Sequence, residues 1–373
     1  MSTDVKGFRD LVAEVQEKGI CGKCGGCLAF CSAGEFHALR AGADGTPVLA
    51  DESKCLHCGV CYLICPQIKV LDQELRQKTG WKPPIGPVRE IASARARSPK
   101  VRRAATDGGV VTALLVYALR KQIIQAAIVS RRVGPLAREP MVATTPEELI
   151  EAAGSHFDES QGIHSLGQRY STFSPSLREV KSLGQRDFHR IALVGTPCQV
   201  FTIRKMQLLH VLPADSIVLT IGLFCMENFS FDARTRRVLE KRLSVRLGQI
   251  GKLNVKDDII VTTKKNKALH IPFGVMDEFA RPACFACTDF ACEYADISCG
   301  GIGSPDGYTT TILRTTVGED LYNRAKADRA IEELRFRVPN DRRNAETERM
   351  AKIVAATRRK QARAARRMGA PAC

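Results

Sequence analysis

Eight of the chain's fifteen cysteines lie within the first 65 residues, in two copies of one spacing. Cys21, Cys24, Cys27 and Cys31 follow C-x2-C-x2-C-x3-C, and Cys55, Cys58, Cys61 and Cys65 repeat it, with Pro66 after the last. This is the bacterial spacing for two [4Fe–4S] clusters, in which three thiolates of a run hold one cube and the fourth ligates the other. One cube is therefore expected to take Cys21, Cys24, Cys27 and Cys65, and the other Cys55, Cys58, Cys61 and Cys31. Gly22, Gly25, Gly26 and Gly59 let backbone amides approach the sulfurs. Zinc is the competing chemistry, but zinc sites use four ligands in paired C-x2-C units, and eight in this doubled order fit poorly. A cube moves single electrons, so the chain is expected to handle electrons.

Seven cysteines remain. Cys198 sits in the turn Val194-Gly195-Thr196-Pro197-Cys198, Cys225 ends an apolar run, and Cys284 and Cys287 form a C-x2-C beside Pro282. Cys198 and Cys225 fall at the carboxyl ends of adjacent predicted strands, where α/β proteins build their sites. With Cys284 and Cys287 they would make a third four-thiolate site, although scattered cysteines also serve as small buried hydrophobes. Cys292, Cys299 and Cys373 are read as structural or surface thiols. Gly108-Gly109 opens a helix after a basic stretch, as anion-binding helix N-termini do, and Gly300, Gly301 and Gly303 form a looser loop near Asp296. No G-x-G-x-x-G or Walker motif occurs, so an ordinary dinucleotide fold is not indicated.

The elements that must position these residues alternate. Val110–Leu119 reads as a helix and Ile123–Ser130 as a strand. Thr145 opens a capping box with proline at the first helical position. Ile191–Val194 is a short buried strand, followed by a helix to about Leu209 and a strand over Ile217–Phe224. Short strands are expected over 253–275 and at 308–314. Alternation of this kind argues for an α/β core. The stretch Gly80 to Pro87, with Trp81 and three prolines, marks a boundary. Residues 341–373 carry ten Lys/Arg against three acids, +7 of the formal +16, and read as a solvated or partner-docking basic helix with a narrow stripe of Met350, Ile353 and Val354. No nucleic-acid motif accompanies them. No apolar run approaches the roughly 20 residues of a membrane span. A charged N-terminus and cysteines suited to metal suggest the cytoplasm.

Several motifs fall into one order: Asp107-Gly108-Gly109 with Thr112, Gly195-Thr196-Pro197-Cys198-Gln199, Phe224-Cys225-Met226-Glu227-Asn228, Cys284-Phe285-Ala286-Cys287-Thr288-Asp289, Ala295-Asp296-Ile297-Ser298 and Asp306-Gly307-Tyr308. In this order the chain resembles, over about residues 88–335, the beta-subunit family of coenzyme F420 hydrogenases and dehydrogenases. The preceding two-cluster unit looks like the input subunit of F420H2 dehydrogenases and the N-terminal half of F420-dependent sulfite reductase. The resemblance implies an α+β oxidoreductase. Its parts would be a ferredoxin-like unit (1–75), a linker (76–87), a mixed α/β flavoprotein domain (88–335) and a basic helical tail (336–373). It implies FAD, a third [4Fe–4S] cluster on Cys198, Cys225, Cys284 and Cys287, hydride exchange with F420 or a similar carrier, and a protein partner for single electrons. Gly108, Gly109 and Thr112 would line cofactor phosphates; Gly195, Thr196, Pro197, Asp289 and Asp296 would approach the flavin. The family's Gly-Ser-Lys/Arg-Tyr stretch has two imperfect counterparts, Gly154-Ser155-His156-Phe157 and Gly167-Gln168-Arg169-Tyr170. Two alternatives stay open: a ferredoxin-linked FAD/iron–sulfur reductase that does not use F420, and a non-catalytic electron-transfer subunit.

Overall fold

A computed structural model describes residues 5–33, 36–134, 137–154, 188–211, 213–229, 233–255 and 258–369. The N-terminal cysteine segment is built from short pieces: helix Phe8–Leu11, helix Gly26–Ala33, an antiparallel pair β1 (Leu39–Ala41) and β2 (Pro47–Leu49), and helix Val60–Leu63. The body is an eight-stranded mixed sheet of β3 (Glu90–Ala96), β4 (Ala126–Gly134), β5 (Ala137–Ala143), β6 (Ile191–Gly195), β7 (Ile217–Leu223), β11 (Ile297–Gly300), β12 (Thr309–Leu313) and β13 (Ile331–Glu333), in the order β13-β3-β12-β11-β7-β6-β4-β5. A separate antiparallel sheet contains β8 (Ile250–Val255), β9 (Ile259–Thr263) and β10 (Ala268–Ile271).

The central strands β4, β6, β7 and β11 run parallel, and the remaining neighbours are antiparallel. Their sequences explain this. Ile191-Ala192-Leu193 and Leu219 to Ile221 are buried apolar or small residues, as strands covered on both faces require. The parallel strands therefore end together at Gly195, Leu223 and Gly300, and the loops leaving those ends share one rim. Cys198 and Cys225 follow β6 and β7 on that rim, as the sequence leads one to expect.

The cysteine segment is not a detached unit. Ala29 and Ile64 share a core with Ile128, Ile191, Leu193, Ile203 and Met206 of the sheet domain. Lys205, completely buried, donates to the carbonyls of Cys65 and Ile68 and pairs with Asp72 at 3.0 Å. The Pro/Gly stretch is fixed rather than a loose tether. Trp81 donates to Glu293 Oε2 at 2.5 Å, and Arg314 Nη1 donates to the carbonyls of Ile85 and Pro87.

The C-terminal helix spans Pro339–Met368, and one stripe of it (Arg349, Ile353, Ala356, Thr357, Lys360 and Ala364) is buried. The predicted apolar stripe of Met350, Ile353 and Val354 packs on the body. Beyond what the sequence suggested, the inner cations Lys360 and Arg363 reach body carbonyls, which satisfies their donors away from water. Among the described residues no helix is long and apolar enough to cross a membrane.

Candidate functional site

The fourteen described cysteines are all free thiols, and they fall into three neighbourhoods with two outliers, Cys292 and Cys299. A small cavity of about 30 Å³ is bordered by Cys21, Cys24, Cys27 and Cys65, and also by Cys61 of the second run. Burial pushes the Cys27 thiol well up, and Cys24, Cys21 and Cys65, then Cys61, push it further. Cys65 is raised to about 12 by burial, with Cys24 and Cys21 adding to it. The second neighbourhood is Cys31 with Cys55 and Cys58, and Cys61 with Cys58, Cys55 and Cys31; burial and these neighbours raise Cys61 to about 12. The structure thus gathers the fourth cysteine of each run with the other run's first three. Among the described residues no three Cys, His, Asp or Glu side chains converge as a single metal ion would need.

The third neighbourhood is Cys198, Cys225, Cys284 and Cys287. Burial lifts Cys225 to about 12, with Lys360 opposing and Cys284 and Cys287 adding. Burial also raises Cys198, with Cys24 and Cys287 adding. Without a cation these buried thiols stay neutral; a bound metal centre would favour their thiolates. Four sulfur donors suit iron–sulfur chemistry, so the residues fit such a group. Local folding puts them there. Thr196 caps helix Pro197–Leu208, its N–H donating to Gln199 Oε1 at 3.0 Å and its hydroxyl lying 3.2 Å from Cys198 Sγ. The Asn228 N–H donates to Cys284 Sγ at 3.3 Å. Arg281 Nη1 donates to the Gly22 carbonyl at 2.6 Å and so ties the Cys284 turn to the N-terminal cysteines. Thr202 Oγ1, which donates to the Cys198 carbonyl, lies 3.6 Å from Cys24 Sγ.

Beside this third group, a cleft of about 240 Å³ opens at the carboxyl rim of the parallel strands. Its wall includes Gly109, Thr112, Gly195, Thr196 and Cys225, with Val111, Leu115, Phe224 and Phe290 as apolar lining. Gly108 does not line it. Its N–H donates to Thr309 Oγ1, its carbonyl accepts from Ala96, and a Cβ there would lie 2.6 Å from the Ala94 carbonyl. Gly108 is thus the spacer that lets helix Val110–Arg120 approach β3 and β12. Pro197 is buried at the first helical turn, outside the cleft wall.

The two predicted aspartates also lie off the cleft. Asp296 is spent internally: Oδ2 accepts from the Thr220 N–H and hydroxyl, and Oδ1 from Thr315 and Arg204. Asp289, two residues after Cys287 in sequence, is half-buried, with Oδ2 held by the Glu293 N–H and its buried Oδ1 without a hydrogen-bond partner. Cys292 packs where a Cβ on Gly222 would fall 2.3 Å from its sulfur, a packing role. Cys299 lies in the cleft wall, its thiol 4.0 Å from Thr311 Oγ1. The two Gly-Ser counterparts lie outside the described residues, apart from Gly154 at the cleft edge.

Two family models of the coenzyme F420 hydrogenase/dehydrogenase beta subunit match the chain, the N-terminal one over residues 91–166 and the C-terminal one over 188–337. The beta subunit of coenzyme F420 hydrogenase from Methanosarcina barkeri is 32% identical over 251 residues, covering 66% of this chain and 81% of the relative. The chain belongs to this beta-subunit family. A subunit of the F420H2 dehydrogenase of Methanosarcina mazei is 26% identical and aligns over 86% of this chain and 87% of its own. The coenzyme F420-dependent sulfite reductase of Methanocaldococcus jannaschii is 30% identical over 83% of this chain, which spans 46% of that relative. A chain of the F420-reducing [NiFe] hydrogenase complex from M. barkeri shares the fold, with a TM-score of 0.59 and 29% identity, covering 76% of this chain and 95% of that one.

Within this beta-subunit family member, sequence reasoning missed the polar groups of the cleft. Arg138, Glu227 and Arg359 line it, and Glu227 Oε1 is buried without a hydrogen-bond partner while Oε2 pairs with Arg363 at 2.5 Å. Arg359 and Arg363 are hidden in a charge run, and only the burial of Ile353, Ala356 and Ala364 in register with them signals an inward face. A second buried carboxyl, Glu293, lies beneath the site. Burial, then Asp289, push it up to about 8 from 4.5. Between these values the folded chain holds a proton that the unfolded chain has released, so stability falls as pH rises through that window. The thermal midpoint of wild type is expected to drop from pH 5 to pH 8, and Glu293→Gln to flatten that slope; calorimetry across the range checks it.

Proposed function

We propose that this chain is an iron–sulfur flavoprotein subunit that exchanges hydride with coenzyme F420 at FAD and passes single electrons to a partner protein. The observation that carries the reading is continuity. Cys225 forms part of the cleft wall, Cys198 of the same group neighbours Cys24, and Cys27 of the next neighbours Cys61 of the last. Cys58 of that last group is exposed, beside Leu56 at 64% exposure. A series leading from a buried cleft to the surface is what relay to a docked partner needs.

The flavin would interconvert a hydride and separate electrons, and the cubes would carry the latter one at a time. The chain's own residues position and enclose. Gly109 and Thr112 present the opening turn of helix Val110–Arg120, where free amides favour phosphate. Phe224 and Phe290, at a ring separation of 5.5 Å, close the cleft wall beside the third cysteine group and exclude water. Arg138 and Arg359, on a wall that also holds Asp107 and Glu227, are the cations an anionic carrier would meet. The four-cysteine sets named above would hold the cubes. The F420-linked names of these relatives support this carrier over the alternatives.

Anaerobically purified protein is expected to hold about twelve irons, four per cube, and one FAD, and to reduce a viologen with reduced F420. Flavin-free protein, or turnover with ferredoxin but none with F420, rejects the reading.

A further inference from the structure

The helix Pro339–Met368 begins beyond the matched family residues, yet it returns to the third cysteine group. Lys360, 1% exposed, donates from Nζ to the carbonyls of Cys225 at 2.5 Å and Asp289 at 2.7 Å. One turn later, Arg363 Nη2 donates to the carbonyls of Met226 at 3.0 Å and Cys284 at 3.4 Å, and its Nη1 meets Glu227. Two cations on one helix face thus grip both loops that carry Cys225, Cys284 and Cys287.

Packing alone does not account for Lys360. The same stripe is filled elsewhere by Ile353, Ala356 and Ala364, and a buried ammonium is costly unless charge compensates it. Apart from the cysteines, the compensation from protein side chains comes mainly from one carboxylate. Glu227 is occupied by Arg363, while Asp289, with Oδ2 on the Glu293 N–H, acts on the ammonium by charge alone and makes no side-chain hydrogen bond to it. The acceptors of Lys360 are two neutral carbonyls. Four thiolates around a cluster would complete the balance.

We infer that Lys360 is a positioning residue that also sets the reduction potential of the cluster held by Cys198, Cys225, Cys284 and Cys287. The inference rests on the cluster reading above. The cluster gains one negative charge on reduction, and a fixed cation within a water-poor site stabilises that state. The flanking carbonyl bonds hold the ammonium in place, and Arg363 fixes the helix register. Lys360 therefore raises the potential of the cluster next to the cleft and favours electron entry from it.

The experiment uses the full-length holoprotein, with iron content and EPR-monitored reductive titration as readouts. Lys360→Met is expected to keep its iron and to shift one cluster's reduction equilibrium at least tenfold toward the oxidised form, about 59 mV lower for one electron. The other two signals stay in place, and Lys360→Arg stays near wild type. Loss of about four irons in Lys360→Met but not in Lys360→Arg also supports the inference, since the charge is then needed to hold the site. Full iron with unmoved potentials in Lys360→Met overturns it. So does an equal shift, or equal iron loss, in both variants, which would mark shape rather than charge. A wild type that binds only about eight irons removes the cluster reading itself, and the inference with it.

Discussion

Replacing Cys225 by alanine is expected to lower iron by about four atoms per chain and to cut F420-dependent viologen reduction to below about a tenth, with FAD retained. The residue stands at two boundaries at once. Its side chain lines the cleft, and its electrostatic neighbours are Cys284 and Cys287. Without its sulfur the third group has three donors, and three thiolates leave a cube corner to solvent or to loss. A tenfold loss of rate corresponds to about 1.4 kcal/mol of barrier, modest against removal of an entire relay centre. Cys299→Ala is the matched control. Cys299 also lines the cleft, but what acts on its thiol is burial and the Thr311 hydroxyl, not another cysteine. That variant should keep both iron and turnover. Equal iron in the Cys225 and Cys299 variants would remove Cys225 from the ligand set, and metal analysis alone decides it.

The contrast shows where sequence was informative. The doubled cysteine spacing predicts that each fourth cysteine joins the opposite run. The fold places Cys65 near Cys21 and Cys24, and Cys31 near Cys55 and Cys58, and iron analysis of cysteine variants tests the ligand sets. The strand–turn–helix at Val194 to Cys198 was legible for a similar local reason. Apolar β6 ends at glycine, and Thr196 with Gln199 supplies the cap. β3 was not legible. It lies inside the basic stretch Arg89 to Arg103, and its nearly continuous burial, from Ile91 to Ala94 and again at Ala96, rests on small residues and is masked by arginines. Arg95 and Arg97 meet Glu332 of β13, a partner far along the chain. β5 was missed because Pro140 argues against a strand; it forms the sheet edge, where proline is tolerated. Asp296 is a different case: its carboxylate is engaged by Thr220, Thr315 and Arg204, partners distant in sequence that its motif does not reveal. The C-terminal helix is similar: its cations are visible, and the carbonyls they reach are not.

A single methyl group is expected to separate the first cysteine group from the third. Gly26 opens helix Gly26–Ala33, and a Cβ there would fall 2.2 Å from Thr202 Cγ2. The two helices meet at this point, with Thr202 Oγ1 also 3.6 Å from Cys24 Sγ. Gly26→Ala must therefore push the cysteine segment off helix Pro197–Leu208, and overpacking of this kind costs about 1–3 kcal/mol. The segment keeps its own cysteines, so iron content should hold while denaturant stability falls and electrons pass more slowly from the third group to the first. Thr202→Ser deletes the offending methyl and preserves the hydroxyl. Alone it should be nearly neutral, at most about 1 kcal/mol for one methyl group. Combined with Gly26→Ala it should recover most of the lost stability and transfer rate, a coupling of about 1–3 kcal/mol in the double-mutant cycle. Equilibrium unfolding of the four proteins reads the coupling, and rapid-mixing reduction of the N-terminal clusters reads the rate. Additive effects would mean that this contact does not hold the two groups together.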